Sequence, residues 1–186
     1  MSFPIGARQP LHSELPLRSK TDILETLTVL DLPPDEYFLV GGANLVLRGI
    51  KQVTRDIDAL CSDELFGELS ARLDVQIKDP PRSALAQGAT NKTIWLERTD
   101  LAIPFTATTK MGDGYFPQSF EEYKDQVELI EEFPCVSLDV VRASKAALRR
   151  PYPASDLSDL CLIDISLGLE TDPLPAPSVG APYLRS

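Results

Sequence analysis

Tyr37–Leu60, YFLVGGANLVLRGIKQVTRDIDAL, is the stretch whose reading decides the fold. An apolar run ends in Gly41-Gly42, and after a spacer comes Asp56-Ile57-Asp58. Tyr37 to Val40 has the length and residue types of a short buried strand. The two glycines let the backbone turn sharply and bring N–H groups close to a phosphate. A helix is expected to open at about Ala43, and its amides and dipole favour negative charge, so strand, glycine pair and helix start form an anion site. Asp56 and Asp58 alternate with apolar Ile57 and Ala59. On a strand, both carboxylates then project from one face while Ile57 and Ala59 pack behind. Two aligned carboxylates make a hard oxygen site suited to Mg²⁺, or to Mn²⁺ in its place. A glycine pair alone also fits a plain strand-to-helix turn, and TxDxD alone fits a capping box or a solvated turn. The combination is more specific, because acids that interrupt an apolar strand are costly unless something binds there.

The rest of the composition bounds this reading. The chain has 186 residues, 43% hydrophobic and 25% charged, enough for one globular domain or a domain with a small helical appendix. A net charge of -10 and an isoelectric point near 4.6 argue against a surface coated in basic residues for nucleic acid. Cys61, Cys135 and Cys161 are odd in number and lack metal-ligand spacing, which suggests reduced, mostly buried thiols in an intracellular protein. No apolar stretch is long enough to span a bilayer, and the start MSFPIGARQPLHSEL has no signal-peptide core, so a cytoplasmic protein without membrane contact is expected. His12 is the sole histidine, which disfavours histidine-based acid–base catalysis and a His-rich zinc site. Ser137 and Ser144 therefore lack the partner a serine hydrolase needs. There is no GxGxxG, and paired aspartates follow the glycines, against a dinucleotide-binding fold.

Along the chain, residues 1–18 read as a flexible proline-containing arm, 19–135 as the core, 136–170 as a C-terminal helical part packed on it, and 171–186 as a Pro-rich tail. Thr21 is expected to cap a helix bearing Ile23, Leu24, Leu27 and Leu30, stopped by Pro33-Pro34. Asp56 to Cys61 is a second strand, and Ser62 caps a helix to about Leu73. Residues 79–91 read as an exposed loop, and Thr93 to Phe105 as one longer strand or a bent pair containing Asp100. An acidic helix near Ser119 to Gln126, a strand at Val127 to Ile130, a helix from Ser137 to Arg149 and a last helix from about Ser155 to Leu169 complete the pattern. The expected fold class is α+β (α/β): a small mixed sheet flanked by helices, with a short C-terminal helical part.

The Gly-Gly turn, the spacer and Asp-x-Asp resemble the signature of the DNA polymerase β-type nucleotidyltransferase superfamily. Within it, Gly49, Lys51, Thr54, Asp56 and Asp58 in RGIKQVTRDIDAL look like the corresponding run of the minimal abortive-infection (AbiEii-type) toxin nucleotidyltransferases. SLDVVRASKAALRRPYPASDLSDLCLI looks like their second signature, with Lys145, Arg149 or Arg150, Asp156 and Asp159 at the matching positions. Asn44 departs from the pattern, standing where relatives usually have a small alanine-like residue. Arg55 sits between Thr54 and Asp56, where it can pair with an acid or a phosphate. The link from Arg150 to Asp156 is longer and richer in proline than usual, and Asp156 can equally cap the last helix.

The resemblance implies a nucleotidyltransferase core in which a third carboxylate from a neighbouring strand completes the metal site. Asp100 in LERTDLAIPF is the best match, with Glu97 as its rival. Asp56 and Asp58 would hold two Mg²⁺ ions, Asp100 the ion that activates the acceptor, Gly41 and Gly42 the β- and γ-phosphates, and Lys145 would neutralise the triphosphate. The expected partners are a nucleoside triphosphate and an acceptor hydroxyl on RNA, a protein or a small molecule. The alternative from another class is a catalytically silent nucleotide- or partner-binding module, such as one half of a toxin–antitoxin pair.

Overall fold

The run YFLV and the alternation in IDALC put two strands side by side in the middle of a sheet. The computed structural model describes residues 15–79, 91–111, 118–147 and 154–169, with backbone alone for 154–156. Its elements are α1 (Lys20–Leu30), β1 (Tyr37–Val40), α2 (Gly41–Leu47), β2 (Ile57–Cys61), α3 (Asp63–Ser70), β3 (Val75–Lys78) and β4 (Thr93–Leu96). There follow β5 (Phe105–Thr108), β6 (Lys110–Met111), β7 (Gln118–Ser119), α4 (Phe120–Tyr123), a 3₁₀ turn (Lys124–Gln126), β8 (Val127–Ile130), β9 (Phe133–Val136), α5 (Leu138–Ala147) and α6 (Ala154–Leu167). Seven strands form one mixed sheet in the order β3-β4-β5-β2-β1-β9-β8, and β6 pairs with β7 beside it. The α+β class with a small mixed sheet is as expected. Among the described residues no helix is long and apolar enough to cross a membrane.

Each face of the sheet has its own cover. Tyr37, Leu39, Ile57, Ala59, Cys61, Phe105 and Ala107 meet Ile23, Leu27 and Leu30 of α1, Val46 and Leu47 of α2, and Leu65 and Leu69 of α3. Phe38, Val40, Leu60 and Val136 face the other way, against Phe120 of α4, Val140 and Val141 of α5 and Ile163 of α6. With helices on both faces, β1 is buried along its whole length, which is why it reads as a continuous apolar run and not as an alternating one.

Local details correct several expectations. Ser19, not Thr21, caps α1: the Asp22 carboxylate accepts the Ser19 N–H at 2.7 Å, and these hydrogen bonds from Ser19 hold Asp22 below the usual carboxylate range. Ser62 caps α3 as expected, its hydroxyl accepting from Leu65 N–H at 3.0 Å. That helix ends at Ser70, so Leu73 lies beyond it, fully exposed. The last residues of the arm are packed: Leu15 is buried, and Arg18 exchanges backbone hydrogen bonds with Thr54 at 2.7 and 2.9 Å. Residues 1–14, 80–90 and 170–186, including most of the arm, loop and tail readings, lie outside the described residues.

β9 has no counterpart in the expected pattern. It contains Pro134 and follows a two-residue turn, Glu131-Glu132, whose φ values of 51° and 71° are left-handed without the usual Asn or Gly. Nevertheless β9 lies inside the sheet, parallel to β1 with Leu39 opposite Cys135. Asn44 accounts for part of this union. Its buried amide donates to Leu39 O at 3.0 Å and Val136 O at 2.8 Å, tying the two strand ends together. Its oxygen accepts from Arg48 Nε at 2.8 Å, and Arg48 reaches on to Val136 O and Glu128. An alanine at position 44 could make none of these bonds.

Candidate functional site

β2 alternates, so its register sets the site. Asp58 stands opposite Val40 of antiparallel β1 and Thr106 of parallel β5, on the face that α5 and α6 cover. Ile57 and Ala59 point the other way and are fully buried, as the alternation predicts. Beside Asp58, a cleft of about 260 Å³ opens. Gly41, Gly42, Lys51, Thr54, Arg55, Asp56, Asp58, Lys145 and Asp159 all line it. Residues far apart in the sequence thus converge on one concavity. Val40 and Val136 at the ends of β1 and β9, with Val141 and Ser144 of α5, form more of its wall.

The two glycines have different physical requirements. Gly41, the first residue of α2, has φ of +60°, and a Cβ there would rest 3.5 Å from Asp58 Oδ2, an ordinary contact. Its need is conformational. A Cβ on Gly42 would fall 2.6 Å from Thr54 Oγ1, so Gly42 is required by close packing whether or not a phosphate binds. Thr54 Oγ1 also donates to Asp56 O at 3.3 Å, which links the glycine turn to the segment presenting the first carboxylate.

Two of the cations share one acid. Lys145 Nζ lies 2.8 Å from Asp159 Oδ2, and Lys51 Nζ lies 3.0 Å from Asp159 Oδ1. Asp159, on α6, is almost wholly buried, so two ammonium groups from different elements meet one interior carboxylate beside the cleft. Arg142 and Asp164 form a second ion pair between α5 and α6. Arg55 lines the same cleft, and its Nε is buried with no hydrogen-bond partner among the described residues.

Asp100 is not brought to this site. Its carboxylate is exposed and pairs with Arg98 at 2.9 Å, and Arg98 also reaches Asp74 at 3.1 Å. Hydrogen bonds from Arg72 and then Arg98 hold Asp74 below the usual carboxylate range, against the opposing effect of partial burial. The apolar residues after Asp100 do not continue a strand. Ile103 is buried under α1, where its N–H donates to Thr26 Oγ1 at 3.1 Å, and β5 begins only after Pro104. Glu97 accepts from Trp95 Nε1 at 3.3 Å and does not line the cleft either. The β5 residue beside Asp58 is Thr106, whose hydroxyl donates to Asp58 Oδ1 at 2.6 Å. The period-two run Phe-Thr-Ala-Thr was the sequence signal for it, with Phe105 and Ala107 facing the core. Arg149 lies outside the described residues, and Asp156 is in the first turn of α6 with its side chain outside them.

Among the described residues, no group of three or more His, Cys, Asp or Glu side chains is arranged to hold a metal. Asp56 and Asp58 remain a donor pair of the kind Mg²⁺ accepts, since that ion commonly takes one or two carboxylates and completes its shell with water and substrate phosphate. A second ion dependent on Asp100 has no such support. Searches against protein-family models, curated proteins and solved structures return no match.

Proposed function

We propose that the chain is a Mg²⁺-dependent nucleotidyltransferase, which moves a nucleoside monophosphate from a nucleoside triphosphate to an acceptor hydroxyl. The observation that carries this reading is the convergence of Asp56 and Asp58, the Gly41-Gly42 turn, Lys51, Arg55 and Lys145 on one cleft. In-line displacement at the α-phosphorus needs positioning and charge stabilisation more than covalent chemistry from the protein. Lys51, Lys145 and Arg55 would neutralise phosphate oxygens, with the guanidinium also able to grip two at once. The glycine backbone lets the phosphates approach closely. Asp56 and Asp58 would hold the metal, which when bound would offset the negative charge that develops on the phosphate oxygens.

Charge supports the metal requirement. Three cationic side chains, Lys51, Arg55 and Lys145, and three anionic ones, Asp56, Asp58 and Asp159, line the cleft, so at neutral pH the protein alone offers a strongly anionic triphosphate no net attraction. The acceptor class is an RNA end, a protein hydroxyl or a small molecule. The net charge of -10 favours the latter two.

One observation favours a second reading, nucleotide binding without turnover, as in a silent module that engages an antitoxin-like partner. The resemblance implies a third carboxylate from a neighbouring strand, and β5, the parallel neighbour of β2, places Thr106 and no carboxylate beside Asp58. A labelling experiment separates the two. Purified protein, Mg²⁺ and each α-labelled nucleoside triphosphate are incubated with pooled RNA, protein and small-molecule acceptors, beside Asp56→Ala/Asp58→Ala. Label transferred by the wild type alone supports the enzyme and reveals base and acceptor. Mg²⁺-dependent nucleotide binding with no transfer supports the silent module.

A further inference from the structure

Asp159 lines the cleft from α6, a helix that contributes none of the carboxylates assigned to the metal. Its side chain is 5% exposed and contacts two ammonium groups, Lys145 at 2.8 Å and Lys51 at 3.0 Å. Lys51 comes from the loop after α2 and Lys145 from α5, so one carboxylate joins three separate pieces of chain. The Lys145 side chain is itself only 10% exposed, and Lys51 28%. Two ammonium groups converging in such a place repel each other, and an anion between them converts that repulsion into attraction.

We propose that Asp159 is a positioning residue that locks Lys51 and Lys145 with their charged heads at the cleft. On the nucleotide reading above, on which this part rests, the two locked cations are what a triphosphate meets, and α6 is part of the phosphate site without touching phosphate. The lock makes a prediction opposite to simple charge counting. Asp159→Asn raises the positive charge of the cleft, which on Coulombic grounds alone would strengthen anion binding. If positioning dominates, binding weakens, because the lysines separate and swing towards solvent.

Two measurements on the full chain test this. Lysine acetylation by a water-soluble N-hydroxysuccinimide ester, followed by peptide mass spectrometry, reads the lock without any ligand. In the wild type, Lys145 should react at least tenfold more slowly than exposed Lys92 and Lys110. In Asp159→Asn its rate should rise above that of the wild type, with Asp159→Glu partly restoring protection. Equal rates for Lys145 and Lys110 in the wild type overturn the lock, and this comparison stands even if the variant fails to fold. Inorganic tripolyphosphate with Mg²⁺ then reads the consequence. Its Kd should rise at least tenfold in Asp159→Asn but not further in Lys51→Met/Lys145→Met when Asp159→Asn is added. Unchanged or tighter binding by Asp159→Asn overturns the proposal. Failure of the wild type to bind tripolyphosphate, with Lys145 protected and then released by Asp159→Asn, removes the nucleotide reading while the lock stands.

Discussion

On one face of β2, Ile57, Ala59 and Cys61 are sealed beneath α1, α2 and α3. On the other, Leu60 is sealed against α5 and α6, but Asp58, two residues earlier, opens into a cleft lined by charges. The same five-residue strand is therefore core on one side and candidate site on the other. Side chains on the closed face are held by packing and should matter to stability. Those on the open face are held by hydrogen bonds and ion pairs and should matter to binding.

The largest effect should come from the open face. Asp58→Asn keeps the shape but removes the charge, and under the proposed function nucleotidyl transfer should fall at least about a thousandfold, equivalent to about 4 kcal/mol of transition-state stabilisation. The melting temperature should stay close to that of the wild type. Transfer at the wild-type rate would erase the functional half of the contrast.

The closed side has a pH signature. Burial pushes the Cys61 thiol up to about 12, with Asp63 and Glu36 adding to it. Burial likewise pushes Cys135 up to about 12, opposed by Arg48. Both values are raised above that of an unfolded thiol, so their contribution to stability is fully present below about pH 9 and is lost as pH rises towards 12. Each thiol can account for up to roughly 4 kcal/mol over that interval. Urea melts from pH 8 to 11 should show the decline, and Cys61→Ala/Cys135→Ala should flatten it. An equally steep decline in the double variant would assign the alkaline loss to other groups.

Ile57→Ala should cost about 3 kcal/mol of unfolding free energy, within the usual span for a buried Ile, with nucleotide affinity unchanged in the folded fraction. A large change in affinity at full folding would mean the faces are coupled. Gly42→Ala sits on the seam between them. Its new methyl would meet Thr54 Oγ1 at 2.6 Å, so about 1–3 kcal/mol should be lost and largely regained in Gly42→Ala/Thr54→Ala. The smallest effect lies away from both faces: Glu131→Asn/Glu132→Gly should stabilise by about 1 kcal/mol, as both positions have left-handed backbones. The broken Lys20–Glu131 pair, exposed on both sides, offsets little of this.

Features encoded by near neighbours were legible in the sequence. The apolar run of β1, the glycine turn, the Asp-x-Asp alternation, the Ser62 cap and β8 each follow from adjacent residues. Features set by distant pairing were not. Whether Asp100 or Thr106 lies beside Asp58 depends on the parallel register of β2 with β5, which no local pattern fixes. The apolar residues after Asp100 imitated a strand, but Leu101 and Ile103 fill the space beneath α1. β9 has no local signature, because Pro134 and a turn without glycine both argue against a central strand. The convergence of Lys51, Lys145 and Asp159 depends on α5 and α6 packing across the sheet, although each residue lay within a recognisable run.

The pairing of β1 with β9 also bears on the order in which the chain matures. During synthesis, β1 and β2 are available as an antiparallel pair long before residues 133–136 exist to join them, and the partner of Lys51 arrives later still, at residue 159. Contacts of such wide sequence separation form slowly, after the loop between them closes. The half-made chain therefore displays both aspartates while its cleft still lacks the wall from α5 and the anchor from α6. Under the proposed function, ribosome-bound chains halted before residue 138 should accordingly be inert towards triphosphate, so competence would arrive as a late, single event of biosynthesis.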